Sequence, residues 1–169
     1  NYRICSGLRA EIVQAPNPTE WMKAVKNETE LANIRQAHIK DGVAFTKFMY
    51  WLKNHIGKEK ITEISAANYL KERRQEQALF MDVSIGTISA YGANAAMMHY
   101  QATKENYATI QAKGMLLVDS GGQYLKGTTD ITRTIILGEV PDVFKKHFTL
   151  ALRSMLRLQS ACFLEGCTG

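Results

Sequence analysis

The sequence predicts an α+β domain: helices first, then a run of antiparallel strands, then a closing helix. Three observations lead to this. Two early segments repeat apolar residues at helical spacing. The stretch from residue 83 to residue 137 is rich in β-branched residues and broken by glycines. The C-terminal part returns to helical spacing.

Taken in order, Leu8 to Val13 reads as a short strand. Pro16 and Pro18, in Ala15-Pro16-Asn17-Pro18, argue against a helix there, so 1–22 is expected to be the tail of a preceding domain with a linker. Residues 23–169 then form the domain proper. A long helix is expected over 27–56. Asn27 and Glu30 form a capping pair at its start, Leu31, Ile34, His38, Phe45, Phe48 and Leu52 follow at helical spacing, and Gly57 closes it. His38, on that stripe, is expected to pack partly buried. A second helix over 62–78 should bury Ile64, Ala67 and Leu70 and wet Lys71, Arg73 and Arg74. Val83 to Tyr91 reads as a strand, ended by Gly92-Ala93-Asn94. Ala96 to Tyr100 can form another. Met115 to Ser120 and Thr129 to Leu137 are two more, joined through Gly121, Gly122 and Gly127. Pro141 opens a last helix, over 141–163, with Phe144, Phe148, Ala151, Met155, Leu158 and Cys162 as its apolar stripe.

Composition narrows the function classes. With 46% hydrophobic and 22% charged residues, the 169-residue chain is that of a globular protein with a sizeable core. The net charge of +5 comes from scattered lysines, and the densest cluster, Lys71-Glu72-Arg73-Arg74, is diluted by acid, so no nucleic-acid partner is expected. No apolar run is long enough to span a membrane. Three cysteines, Cys5, Cys162 and Cys167, form no framework, which suits a reducing, cytoplasmic setting. The chain starts at Asn1 without methionine and is expected to be part of a longer one.

Asp119 and Asp130 stand in strand-prone sequence on either side of a glycine-containing turn. Aspartate is depleted in strands. Antiparallel neighbours can bring the two carboxylates onto one face, where they would repel unless one is protonated or a cation lies between them. Carboxylate oxygens suit hard or borderline divalent ions. On spacing alone a second reading stays open, in which Asp119 ends a strand and Asp130 caps a turn, both solvated.

The string "DSGGQYLKGTTDITRT" resembles the first metal motif of Xaa-Pro aminopeptidases. "KAVKNETELANIRQAHIKDGVAFTKFMYWL" and "TEISAANYLKERRQEQALFMDVSIGTISAYGANAAMMHY" resemble further parts of that family's catalytic domain, in the same order. The resemblance implies half of a pita-bread fold, an antiparallel curved sheet covered by helices. It implies that Asp119 binds one divalent ion and Asp130 bridges two, both Mn²⁺. It gives His99 a substrate-binding role that stabilises the tetrahedral intermediate. The reaction it implies is removal of the first residue from a peptide with proline second. The family's other ligands, a histidine and two glutamates, are not found in this chain, so the isolated chain is expected to be inactive. Two copies are expected to form a homodimer, with Met97, Met98 and the 129–137 strand near the contact. Local departures, including alanines at Ala93, Ala95 and Ala96, Lys126, and Ser154-Met155, leave open a non-catalytic relative that binds peptides or proteins.

Overall fold

A computed structural model of the chain describes Gly7 and residues 15–168. The strand expected over Leu8 to Val13 lies outside them. Helix α1, Pro18–Ala24, begins where a linker was expected. Pro18 is the reason rather than an obstacle. The first turn of a helix has N–H groups without partners, so a residue lacking one costs nothing there. Asn17 caps the turn by accepting from the Thr19 N–H at 3.1 Å.

Helix α2 spans Glu28–His55. The expected capping pair is present: the Asn27 side chain accepts from the Glu30 N–H at 2.9 Å, and Glu30 accepts from the Asn27 N–H at 2.8 Å. Its buried face runs through Ala37, Asp41, Ala44, Phe45, Phe48 and Leu52. His38 is not on it. The ring is exposed and its Nδ1 lies 2.9 Å from the Ile34 carbonyl. Ala37 and Asp41, four apart, set the inward direction, and that turns residue 38 to solvent.

Strand β1, Ile61–Thr62, leads into helix α3, Glu63–Gln75, which opens with a second capping box between Thr62 and Ser65. Here the polarity differs from expectation. Glu63, Ala66, Leu70 and Arg74 form the buried face, whereas Ile64 and Ala67 are only half-buried. Arg74, expected to be wet, is fully buried because Asp41 of α2 receives it.

The single strand expected over Val83 to Tyr91 is two. β2, Phe80–Val83, and β3, Ile88–Tyr91, have different partners, and the chain changes partner in the bend between them. Ala96 to Tyr100 is not a strand. A 3₁₀ turn, Gly92–Ala96, and irregular backbone occupy this stretch, and its polar groups turn inward to bond Glu63 instead of pairing with another strand. β4, Thr109–Ile110, pairs with β1.

The remaining strands are β5 (Met115–Ser120), β6 (Gly122–Tyr124), β7 (Gly127–Thr128) and β8 (Ile131–Ile136). Together they make one long antiparallel hairpin. Met115 faces Ile136, Ser120 faces Ile131, Gln123 faces Thr128 and Tyr124 faces Gly127, in unbroken register. The Thr129 N–H, bonded to the Gly122 carbonyl at 2.9 Å, fills the middle. β3 adds to the other edge of β5.

Alternation along β5 buries Leu116, Val118 and Ser120 and leaves Met115, Leu117 and Asp119 partly open. Leu116 and Val118 meet Phe45, Phe48 and Leu52 of α2 and Leu70 of α3. Each such side chain fully removed from water contributes about 1.5–3 kcal/mol. The architecture is therefore α+β, with antiparallel strands in three small sheets and α2 and α3 over the buried face of β5. Helix α4, Asp142–Gln159, lies within the expected 141–163 but buries none of its residues. Among the described residues no helix is long and apolar enough to cross a membrane.

Candidate metal centre

Asp119 and Asp130 share the hairpin. Asp119 is the fifth residue of β5 and pairs with Thr132 of β8, whose hydroxyl donates to its Oδ1 at 2.9 Å. Asp130 is two positions before Thr132. Carrying the register back one step sets Asp130 opposite Gly121, diagonal to Asp119 on the same face. This is the face turned away from the buried Leu116, Val118 and Ser120. Asp119 is half-buried there and Asp130 is exposed.

Residue 121, in the hairpin between the two aspartates, has to be glycine. A Cβ at Gly121 would collide with the Thr129 carbonyl oxygen and the Ser84 hydroxyl. The Ser84 hydroxyl donates to that same carbonyl at 2.8 Å, so the crossing between β2 and the hairpin is closed at this point.

From the buried side, the hairpin is held by a charged cluster. Arg74 donates from Nε to Asp41 Oδ1 at 2.6 Å, and from Nη2 to Asp41 Oδ2 at 3.1 Å and to the Ser120 hydroxyl at 3.0 Å. The Tyr124 hydroxyl donates to Asp41 at 3.0 Å. Arg74, Asp41 and Ser120 are fully buried. Burial first, then the charge and hydrogen bond of Asp41, push the Tyr124 phenol well above its ordinary range. The cluster thus ties α2 and α3 to Ser120, the residue next to Asp119.

No lysine or arginine forms an ion pair with Asp119 or Asp130 among the described residues. Two unneutralised carboxylates on one open face are a hard oxygen donor set, which fits a divalent cation such as Mn²⁺ or Mg²⁺. They are a partial set. Among the described residues no group of three or more His, Cys, Asp or Glu gathers to hold a metal ion.

His99 is exposed and lies in the irregular segment after the 3₁₀ turn, with φ of 56°. Non-glycine residues rarely adopt that left-handed conformation, and where they do the surroundings must hold it. No hydrogen bond or ion pair joins His99 to either aspartate among the described residues. Its neighbour Tyr100 is buried, and its hydroxyl donates to Glu63 at 2.7 Å. Burial, followed by that hydrogen bond and the Glu63 charge, pushes the Tyr100 phenol up to about 12.

Sequence reasoning missed Asp41, Glu63, Ser120 and Tyr124, and it put Arg74 on the wrong face. One signal was available. Glu63, Leu70 and Arg74 fall on one stripe of α3, so a charge at each end of an apolar row was visible.

The pattern of metallopeptidase family M24 matches residues 32–169. The chain belongs to that family. Among its M24 relatives is a probable Xaa-Pro aminopeptidase P of Paracoccidioides brasiliensis, 41% identical over 98% of this chain and 27% of the relative. Another, from Arthroderma gypseum, is 42% identical over 98% of this chain and 26% of its own length. The chain therefore spans about a quarter of the length of these relatives. Among solved structures, it is similar to the X-prolyl aminopeptidase of Caenorhabditis elegans, described as a cytosolic enzyme with a di-nuclear active site. That likeness has a TM-score of 0.83 and 34% identity, covering 90% of this chain and 25% of that one. An X-Pro aminopeptidase from Thermotoga maritima follows with a TM-score of 0.71 and 26% identity, covering 82% and 37%. The M24 fold, as the resemblance to a partial pita-bread domain implied, is thus present.

Proposed function

We propose that the protein to which this chain belongs is a metal-dependent aminopeptidase that removes the N-terminal residue from peptides with proline second. The identity of 41% to a probable Xaa-Pro aminopeptidase P over nearly the whole chain supports this reading most strongly. The shared face of Asp119 and Asp130, neither of which has an ion-pair partner among the described residues, supports the metal assignment.

Asp119 and Asp130 would hold the ions, Mn²⁺ being the ion we propose. A bound metal pair would supply a nucleophile at neutral pH and an electrophile for the carbonyl. The chain's own residues set the stage. The Thr132 hydroxyl occupies Oδ1 of Asp119, which leaves Oδ2 as the free donor and fixes the plane of the carboxylate. Gly121 leaves room for the Thr129 carbonyl and the Ser84 hydroxyl that close the hairpin between the two aspartates. His99, exposed on its loop, would meet the substrate and hydrogen-bond the oxygen on which negative charge develops. With only these two carboxylates the chain by itself would bind Mn²⁺ weakly and turn over no substrate. A cytoplasmic location and self-association through exposed apolar surface, including Met97 and Met98, complete the reading.

The test is hydrolysis of an Xaa-Pro peptide by the full-length protein, with and without a chelator. Asp119→Ala and Asp130→Ala should each lower kcat/KM by about 1,000-fold, the worth of several kcal/mol of lost metal assistance. Cleavage that survives both chelation and these substitutions would refute the metal reading. Absence of any Xaa-Pro cleavage would refute the activity.

A further inference from the structure

Glu63 opens α3, is fully buried, and has no lysine or arginine as ion-pair partner among the described residues. Its oxygens are nevertheless saturated. Oε1 accepts from the Tyr91 N–H at 2.7 Å and from Asn94 Nδ2 at 3.0 Å. Oε2 accepts from the Tyr100 hydroxyl at 2.7 Å, the Ala108 N–H at 2.7 Å and, at 3.3 Å, the same Asn94 amide. Asn94 also donates to the Tyr100 oxygen at 3.0 Å, and the Glu63 N–H donates to the Ala108 carbonyl at 3.1 Å.

All four donors belong to one segment, residues 91–108. Tyr91 is its first residue, Ala108 its last, and Asn94 and Tyr100 lie between them. His99 sits within this clamp, next to Tyr100, in its left-handed conformation. Glu63 itself stands at the capped start of α3, whose Leu70 is in the core. The carboxylate thus transfers the rigidity of the core to a loop that has no strand partner of its own over 96–100.

We propose that Glu63 is the positioning residue of the His99 loop, holding the imidazole where the substrate is met without touching the substrate itself. The proposal rests on the substrate-binding role given to His99 above. It assigns Glu63 no part in holding metal, because its two oxygens are spent on the loop.

The experiment is Glu63→Gln in the full-length protein, alone and combined with His99→Ala. Glutamine keeps the size but turns an amide NH₂ toward groups that are themselves donors. Displacing a reacting group by about 1 Å costs about 100-fold, and that is the expected loss of kcat/KM. In the His99→Ala background the same substitution should cost less than about threefold, since residues acting as one unit are not additive. Mn²⁺ affinity by calorimetry should be unchanged, and amide exchange at Tyr91 and Ala108 should accelerate. Should Glu63→Gln fail to fold, Asn94→Ala removes one donor and leaves the carboxylate three, and a smaller loss that again vanishes with His99→Ala is expected. Equal losses in both backgrounds, or a parallel loss of Mn²⁺ affinity, would overturn the proposal. If the unmodified protein cleaves no Xaa-Pro peptide, the functional reading fails separately. The clamp is then decided by amide exchange over 91–108, faster in Glu63→Gln if it holds and unchanged if it does not.

Discussion

Two apolar stripes in this molecule have opposite fates. On α2, Phe48 and Leu52 are fully buried against Leu70 of α3 and Leu116 of β5. On α4, Phe144, Phe148, Leu152 and Met155 repeat at the same helical spacing, yet 41–56% of each remains exposed. Both helices form, because helix formation needs only a suitable local sequence and tolerable ends. Burial needs a partner of complementary shape: α2 has one along its stripe, whereas Phe144 and Phe148 of α4 share only an open pocket with Met115, Thr134 and Ile136. Amphipathicity therefore predicts where a helix wants to be covered, and says nothing of what covers it.

The largest test removes a charge from the closed side. Asp41→Ala should destabilise the fold by about 3–5 kcal/mol, because it leaves Arg74 buried and unpaired. Chemical denaturation of the full-length protein measures it. A loss below about 1 kcal/mol would mean that water reaches the cluster.

Truncation of the stripes gives the next contrast. Leu52→Ala should cost about 2–5 kcal/mol, since the side chain is fully buried. Phe148→Ala in the isolated chain should stay within about 0.5 kcal/mol, as surface substitutions do. Equal costs would show that α4 is covered after all.

Self-association sharpens the same comparison from the other side. Exposed apolar stripes rarely stay bare, so the isolated chain should associate with rising concentration in light scattering. Replacing both Phe144 and Phe148 with serine should weaken association about tenfold, equivalent to about 1.4 kcal/mol. An unchanged association constant would move the contact elsewhere, with Met97, Met98 and Ile136 as the remaining exposed apolar candidates.

The last effect appears only at alkaline pH. The Tyr100 phenol rises from 10.0 in the unfolded chain to about 12 in the fold, where its neutral hydroxyl donates to Glu63. A raised pKa means stability present in full below pH 10 and lost as pH climbs through 12. Tyr100→Phe should reduce the slope of that part of the stability profile and leave the share that Tyr124 contributes. A wild-type profile with the same slope in the variant would remove Tyr100 as its cause.

The legible part of this protein was local. Asn27 and Glu30 announced the start of α2 by their spacing alone. Asp119 and Asp130 announced the hairpin, since strand-prone sequence on both sides of glycines has few other outcomes. The misread parts depended on distant residues. Pro18 reads locally as a breaker, although at the first helical position it is a good start. Val83 to Tyr91 has the composition of one strand, but β6 and β5 each claim a different end of it.

What the sequence by itself determined is the α+β class, the helices α2, α3 and α4, the strand pairing on either side of the glycines, the Asn27–Glu30 cap and membership of the M24 family, because these depend on residue spacing within one segment or on a string of matching motifs. The tertiary structure alone decided that Arg74 and Glu63 face inward, that Asp119 and Asp130 are diagonal on the open face, and that His99 sits in a strained loop held by a buried carboxylate. For the two buried charges the physical reason is the same. A charged side chain is buried only when groups far away in the chain meet its hydrogen-bonding needs. Asp41 does this for Arg74 and the 91–108 segment does it for Glu63, and neither pairing leaves a periodic mark in the sequence.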